Sequence, residues 1–215
     1  MPTSADKPTK RTRNRARTIQ DITSVALSQL ERDGASGLSL RSVARELSVS
    51  VAGLYRYFDT RDALLLRLIE DGFDDLGATL RTVQASDPVE LLRGRLHAYR
   101  GWALERPRVF NLLYTDPIPG FVAPPDGPTD VAVRAALRAL LEPAAAILGA
   151  NPTRPSRAVV ASMVETWSIT HGFVALEVFN HLRWTNLDMA PAYGRIVEAA
   201  IERLQQQRPA PPTPQ

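Results

Sequence analysis

Tyr55, Arg56 and Tyr57 stand side by side, and Arg61 follows four residues after Tyr57. Phenolic hydroxyls and guanidinium groups at this density suit the phosphate oxygens of a nucleic acid, since charge-assisted donors to phosphate are short and strong. Arg41 and Ser42 add donors nearby. Ser50, Val51, Ala52 and Gly53 precede the tyrosines. Val51 and Ala52 can meet thymine methyls, Gly53 permits close backbone approach, and Arg56 is the one long donor for a base edge. Upstream, Lys7, Lys10, Arg11, Arg13, Arg15 and Arg17 crowd together. They read either as an arm that meets phosphate or the minor groove, or as a solvated tail. Catalytic chemistry finds no comparable set. The histidines are His97, His171 and His181, there is no cysteine, and no HExxH, nucleophile elbow or phosphate loop occurs. No catalytic residue, metal site or cofactor is expected.

Two short helices must position these groups. Leu40, Val43, Ala44 and Leu47 recur at i, i+3, i+4 and i+7 behind Ser39 as N-cap. Ser48, Val49 and Ser50 break the pattern, and Ser50 can cap a second helix on which Leu54 and Phe58 face the core. Helix, turn and helix with polar and aromatic groups outward is the layout of a helix-turn-helix reader, whose second helix enters the major groove. A preceding helix carries Ile19, Ile22, Ala26 and Leu30 on one face and ends at Gly34 and Gly37. Thr60 can cap a fourth helix that runs to about residue 85.

The run LSVSVAGLYRYFDTRDALL resembles the signature of TetR-type transcriptional regulators: Leu54, Tyr55, Tyr57, Phe58, Arg61, Ala63 and Leu64 fit it, over roughly residues 15–75. Relatives often carry a basic or polar side chain where this chain has Val51. The resemblance implies phosphate contacts by Tyr55, Tyr57 and Arg61. The segment TWSITHGFVALEVF is similar to the C-terminal domain of one TetR subgroup with a Trp-x-x-x-His-Gly signature, matched by Trp167, His171 and Gly172.

The chain has 215 residues, 44% hydrophobic and 23% charged, with a net charge of +3. That suits one or two globular domains, and any basic patch must be local. No apolar leader is visible, no uncharged apolar run reaches the ~18 residues of a membrane span, and no strand pattern or repeat occurs. The expected fold is therefore all-α. An N-terminal three-helix DNA-binding domain, residues 15–75, follows a disordered basic arm, residues 1–14. A long helix joins it to a larger helical effector-binding and dimerisation domain, residues 87–207, with a disordered tail at 208–215.

In that second half, Asp87 and Pro88 open a fifth helix, and a short helix passes through Phe110 and Tyr114. Residues 116–128 form a proline-rich loop, either a lid or a surface connector. A seventh helix spans about residues 129–148, with Pro143 predicting a kink or early stop. The eighth, residues 156–182, is apolar around most of its circumference and should be buried on more than one side. Trp102, Phe110, Tyr114, Met163, Trp167 and His171 are candidates to line an apolar effector pocket, or are simply core. Gly172, Phe179, Tyr193 and Ile201 are candidates for a dimer interface between helices eight and nine. The function these features imply is a cytoplasmic homodimeric regulator, a repressor on a palindromic double-stranded DNA operator, released by a small apolar effector, with no membrane partner. The alternatives are an activator, a ligand-independent regulator, or a sequence-indifferent architectural DNA-binding protein.

Overall fold

Local sequence sets most helix starts in the computed structural model, which describes residues 9–34, 37–114 and 124–208. Helix α1 (Lys10–Asp33) begins where the Thr9 hydroxyl accepts from the Thr12 N–H at 3.2 Å. Ser39 and Ser42 form a reciprocal capping box at the head of α2 (Leu40–Glu46), and Ser50 caps α3 (Val51–Tyr55) by accepting from the Gly53 N–H. The turn between α2 and α3 is a Schellman closure: the Val49 N–H returns to the Ala44 carbonyl, the Ser48 N–H to that of Arg45, and Ser48 takes the left-handed conformation at φ 55°. Helix α4 (Arg61–Thr82) follows, then α5 (Pro88–Glu105), α6 (Pro107–Tyr114), α7 (Pro128–Ile147), α8 (Arg157–Val178), a 3-10 turn (Arg183–Thr185) and α9 (Ala190–Gln206). Among the described residues there is no strand, so the expected all-α fold is the observed one.

These residues fall into two compact units. The first comprises Met1–Asp71 and Arg108–Pro124, and its core joins Ile22, Ala26 and Leu30 of α1 to Leu40, Val43, Leu54, Phe58, Leu64 and Leu68. Gln29 is buried with them and ties the helices together: its Nε2 donates to Glu46 Oε2 at 2.8 Å, and its Oε1 accepts from the Ser42 hydroxyl at 2.7 Å. The segment around α6, expected in the C-terminal domain, belongs to this first unit. The second unit comprises Gly72–Pro107 and Pro125–Gln215. There α5 lies against α7, α8 and α9. Leu92, Leu96, Tyr99, Leu140, Val174, Tyr193, Val197 and Ile201 fill its core. Bidentate pairs fasten α5 outward, Arg93 to Glu198 on α9 and Arg100 to Glu177 on α8.

Several expected boundaries differ from the structure. Lys10 to Asn14, placed in a disordered arm, form the first turns of α1 behind Thr9; residues 1–8 of that arm and the tail from residue 209 lie outside the described residues. So do residues 116–123 of the expected proline-rich loop. Helix α7 does match its expected span of about 129–148, and it passes through Pro143 without the early stop that proline suggested. Proline removes the N–H that would bond the carbonyl four residues back. That carbonyl, on Ala139, instead accepts from the guanidinium of buried Arg95 on α5. Helix α8 ends at Val178 rather than near residue 182, because Asn180 adopts φ 58° and the His181 N–H closes on the Leu176 carbonyl. On length and composition α8 would suit a membrane span, yet 28% of that window is buried within the chain, so it is less enclosed than its apolar circumference predicts.

Candidate nucleic-acid interface

The outer surface of the first unit gathers the expected donors around α3. Tyr55 is 47% exposed, Arg56 and Ala52 are exposed, and Val51 and Gly53 are half-buried. Ser50 uses a lone pair in its cap, which leaves its hydroxyl proton for an outside acceptor. A Cβ at Gly53 would meet Ser50 Oγ at 3.1 Å, so glycine also serves the tight turn of the cap.

Helix α1 extends this surface. Its first turns run beside α3, and Lys10, Arg11, Asn14, Arg15, Thr18, Arg56 and Tyr57 line one concavity. Four of these seven side chains are cationic and none is a carboxylate. Lys10, Arg11 and Arg56 form no ion pair among the described residues. The Arg15 guanidinium lies 5.2 Å from the Tyr57 ring centroid, a cation–π contact that ties the head of α1 to the end of α3. A cluster of fixed positive charge open to solvent attracts polyanions strongly, because it has no internal partner to neutralise it.

Three expected contact residues have internal tasks. Tyr57 is half-buried under Arg15 rather than pointing freely outward. Arg61 donates through Nε to the Leu38 carbonyl at 3.0 Å and so braces the strand of chain entering α2. The Ser42 hydroxyl is held by Gln29 and Ser39. Arg41 remains exposed. Sequence reading singled out Lys10, Arg11 and Arg15 as candidate phosphate contacts but missed Asn14 and Thr18, which complete this face of α1. Lys10, Asn14 and Thr18 recur every four residues, as do Arg11 and Arg15, which is a one-faced helical spacing. With no apolar residue among them, it gives no amphipathic signal.

In the second unit, Met163 and Trp167 line a cavity of about 380 Å³ between α7, α8 and the turn at residues 150–156. His171 lies one turn on, stacked on Trp167 at 5.2 Å and sharing a 2.6 Å hydrogen bond through Nδ1 with the Tyr99 hydroxyl. Burial pushes the His171 imidazole below its ordinary pKa. Trp102 is buried elsewhere, its indole N–H donating to Asp75 Oδ2 at 2.7 Å. Phe110 and Tyr114 pair with each other at 5.2 Å and belong to the first unit. Of the expected dimer residues, Tyr193 and Ile201 are 0% and 1% exposed and belong to the chain's own core; the Tyr193 hydroxyl donates to the Leu96 carbonyl. Those two assignments are therefore corrected. Phe179 is half-buried, and Gly172 is exposed with nothing within 4 Å of where a Cβ would stand, so it makes no close helix contact within the chain.

A capped helix-turn-helix beside a carboxylate-free basic concavity defines the first unit as a DNA-reading module. Residues 22–68 match the family model for bacterial regulatory proteins of the TetR family, and residues 92–200 match the tetracyclin repressor-like C-terminal domain. The chain belongs to the TetR family. It is 40% identical over 114 residues to the HTH-type transcriptional regulator Rv1816 of Mycobacterium tuberculosis, covering 49% of this chain and 47% of that protein. The chain thus matches about half the length of that curated relative. The crystal structure of the regulatory protein SCO4313 superposes with a TM-score of 0.78 at 29% identity, covering 90% of this chain and 100% of the other. A protein of unknown function from Rhodococcus sp. RHA1 superposes with a TM-score of 0.68 at 26% identity, covering 87% and 93%.

Proposed function

We propose that this chain is a homodimeric transcriptional regulator that binds a palindromic double-stranded operator through its first unit and is released by a small, largely apolar effector held in the second. The observation that carries the reading is the set of four cations without a carboxylate, Lys10, Arg11, Arg15 and Arg56, beside exposed Tyr55. Phosphate contacts by these groups set affinity and register, and the paired half-sites of a dimer supply the specificity that one short helix lacks. Such a protein acts in the cytoplasm, where the operator is.

Footprinting on genomic fragments tests this reading. A discrete palindromic footprint supports it. Uniform protection of any duplex supports the architectural alternative, which the sparse base-reading face of Val51, Ala52 and Gly53 favours. In vitro transcription from the footprinted promoter then separates repression from activation by the sign of the change.

A further inference from the structure

The cavity between α7 and α8 has a composition that selects a ligand class. Leu137, Leu140, Leu141, Val160, Met163 and Trp167 give it an apolar wall. Its volume of about 380 Å³ lies inside the ~300–1,000 Å³ range of small-molecule sites. It is a half-open groove: Val160 and Val164 also line it and are 41% and 55% exposed, so a ligand seated there would cover apolar surface that now faces solvent. Its mouth is not apolar. Arg134 and Arg138 stand one turn apart on α7 and both line it. The Arg138 Nε is held by Glu142 Oε1 at 3.1 Å, and the same carboxylate lies 4.0 Å from the guanidinium of Arg95. Arg134 forms no ion pair among the described residues. Two cations, Arg134 and Arg138, therefore stand at this rim, and no carboxylate lines it. The Thr153 hydroxyl donates to Asn151 Oδ1, and Arg134 is the donor at the mouth with no carboxylate partner of its own, whereas Arg138 already shares Glu142.

We propose that this cavity binds an amphipathic monoanion, an apolar chain or ring ending in a carboxylate, with the apolar part against Met163 and Trp167 and the carboxylate on Arg134. The proposal rests on the reading of the second unit as effector-binding and names the effector's chemistry. Arg134 is exposed and stays hydrated beside an uncharged ligand; a carboxylate gains a charge-assisted contact there, and a cationic ligand would face like charge at the rim.

Isothermal titration of the full-length protein with decanoate, decanol and decyltrimethylammonium tests it. Decanoate is expected to bind about tenfold more tightly than decanol, as a single charge-assisted contact predicts, and the cation more weakly than either. Arg134→Gln should bring decanoate down to the level of decanol. Leu137→Trp, which narrows the groove beside Met163 and Trp167, should weaken binding of both about tenfold or more, with circular dichroism showing an intact helical fold. Equal affinity for decanoate and decanol, or decanoate binding indifferent to Arg134→Gln, overturns the anion assignment. Undiminished binding to Leu137→Trp overturns the site, as does binding of none of the three probes. The same probes are added to the operator complex. Decanoate binding that leaves operator affinity unchanged overturns the effector reading while the site stands. Operator release by decanoate that neither variant affects overturns the site while the effector reading stands.

Discussion

Gln29 shows how one polar side chain can organise a reader. Its amide has both ends engaged, by Ser42 and by Glu46, within a core that is mostly apolar. The same bond holds the Glu46 carboxyl below its ordinary pKa, with Arg32 adding to the effect. Gln29→Ala removes both bonds and opens a cavity, so a loss of about 2 kcal/mol is expected in urea unfolding. A change near zero would show that Ser42 and Glu46 find other partners at no cost. His171 carries a second residue-level prediction. Burial lowers its folded pKa below that of the unfolded chain, so the unfolded state takes up the proton first as pH falls. Stability should therefore be full above about pH 6.5 and decline below it, by at most about 1.4 kcal/mol per pH unit from this group. The decline stops once the folded imidazole itself protonates. His171→Gln should flatten that part of the profile in thermal melts between pH 7 and 5; an unchanged profile would assign the slope elsewhere.

At the scale of elements, Arg95 and Pro143 act as a pair across α5 and α7. The proline frees the Ala139 carbonyl inside a helix, and the arginine answers it from the neighbouring helix. Arg95→Met should cost about 2 kcal/mol, because it leaves a buried carbonyl unbonded. In a Pro143→Ala background a new N–H at position 143 can reach Ala139, and the same Arg95→Met change should cost markedly less. A double-mutant cycle in urea measures the difference, and strict additivity would end the idea. This pair also explains what could and could not be read beforehand. Helices α2, α3, α4 and α5 were legible because caps such as Ser39, Ser50 and Asp87 and the apolar spacings behind them act within a few residues. The span of α7 to near residue 148 was legible too, but whether Pro143 would stop it was not, because that depends on a side chain 48 positions away in sequence. The start of α1 was hidden for the opposite reason: Lys10 to Asn14 carry no apolar periodicity, and only the Thr9 hydroxyl marks the boundary. The tyrosines and Arg56 of the candidate site were visible from their place after Leu54, whereas the concavity that joins them to α1 depended on that hidden start.

For the whole molecule, the question is what covers α8. Its buried positions, Val159, Met163, Thr166, Thr170 and Val174, form one stripe, while Ile169 and Leu176 are each 43% exposed on another. Beyond its end, Trp184 and Leu187 are 79% and 70% exposed. Apolar groups concentrated along one helix and its following turn are an interaction surface more often than an accident of composition. A second copy of the chain is the occupant that the proposed operator requires, since two readers must span half-sites about 34 Å apart or a multiple of that. Tyr193 and Ile201 lie inside the chain, so the useful substitutions fall on the exposed stripe. Ile169→Glu together with Leu176→Glu should convert the dimer to monomers in sedimentation at micromolar concentration, with helical content unchanged. Those monomers should lose operator binding while keeping weak binding to random duplex, because each phosphate-contacting unit remains whole. Val131 on α7 is more exposed still, at 60%, and Val131→Glu serves as the control for added surface charge. A native chain that sediments as a monomer at that concentration would refute the dimer. Monomers from Val131→Glu, with dimers surviving the paired α8 substitutions, would move the interface to α7.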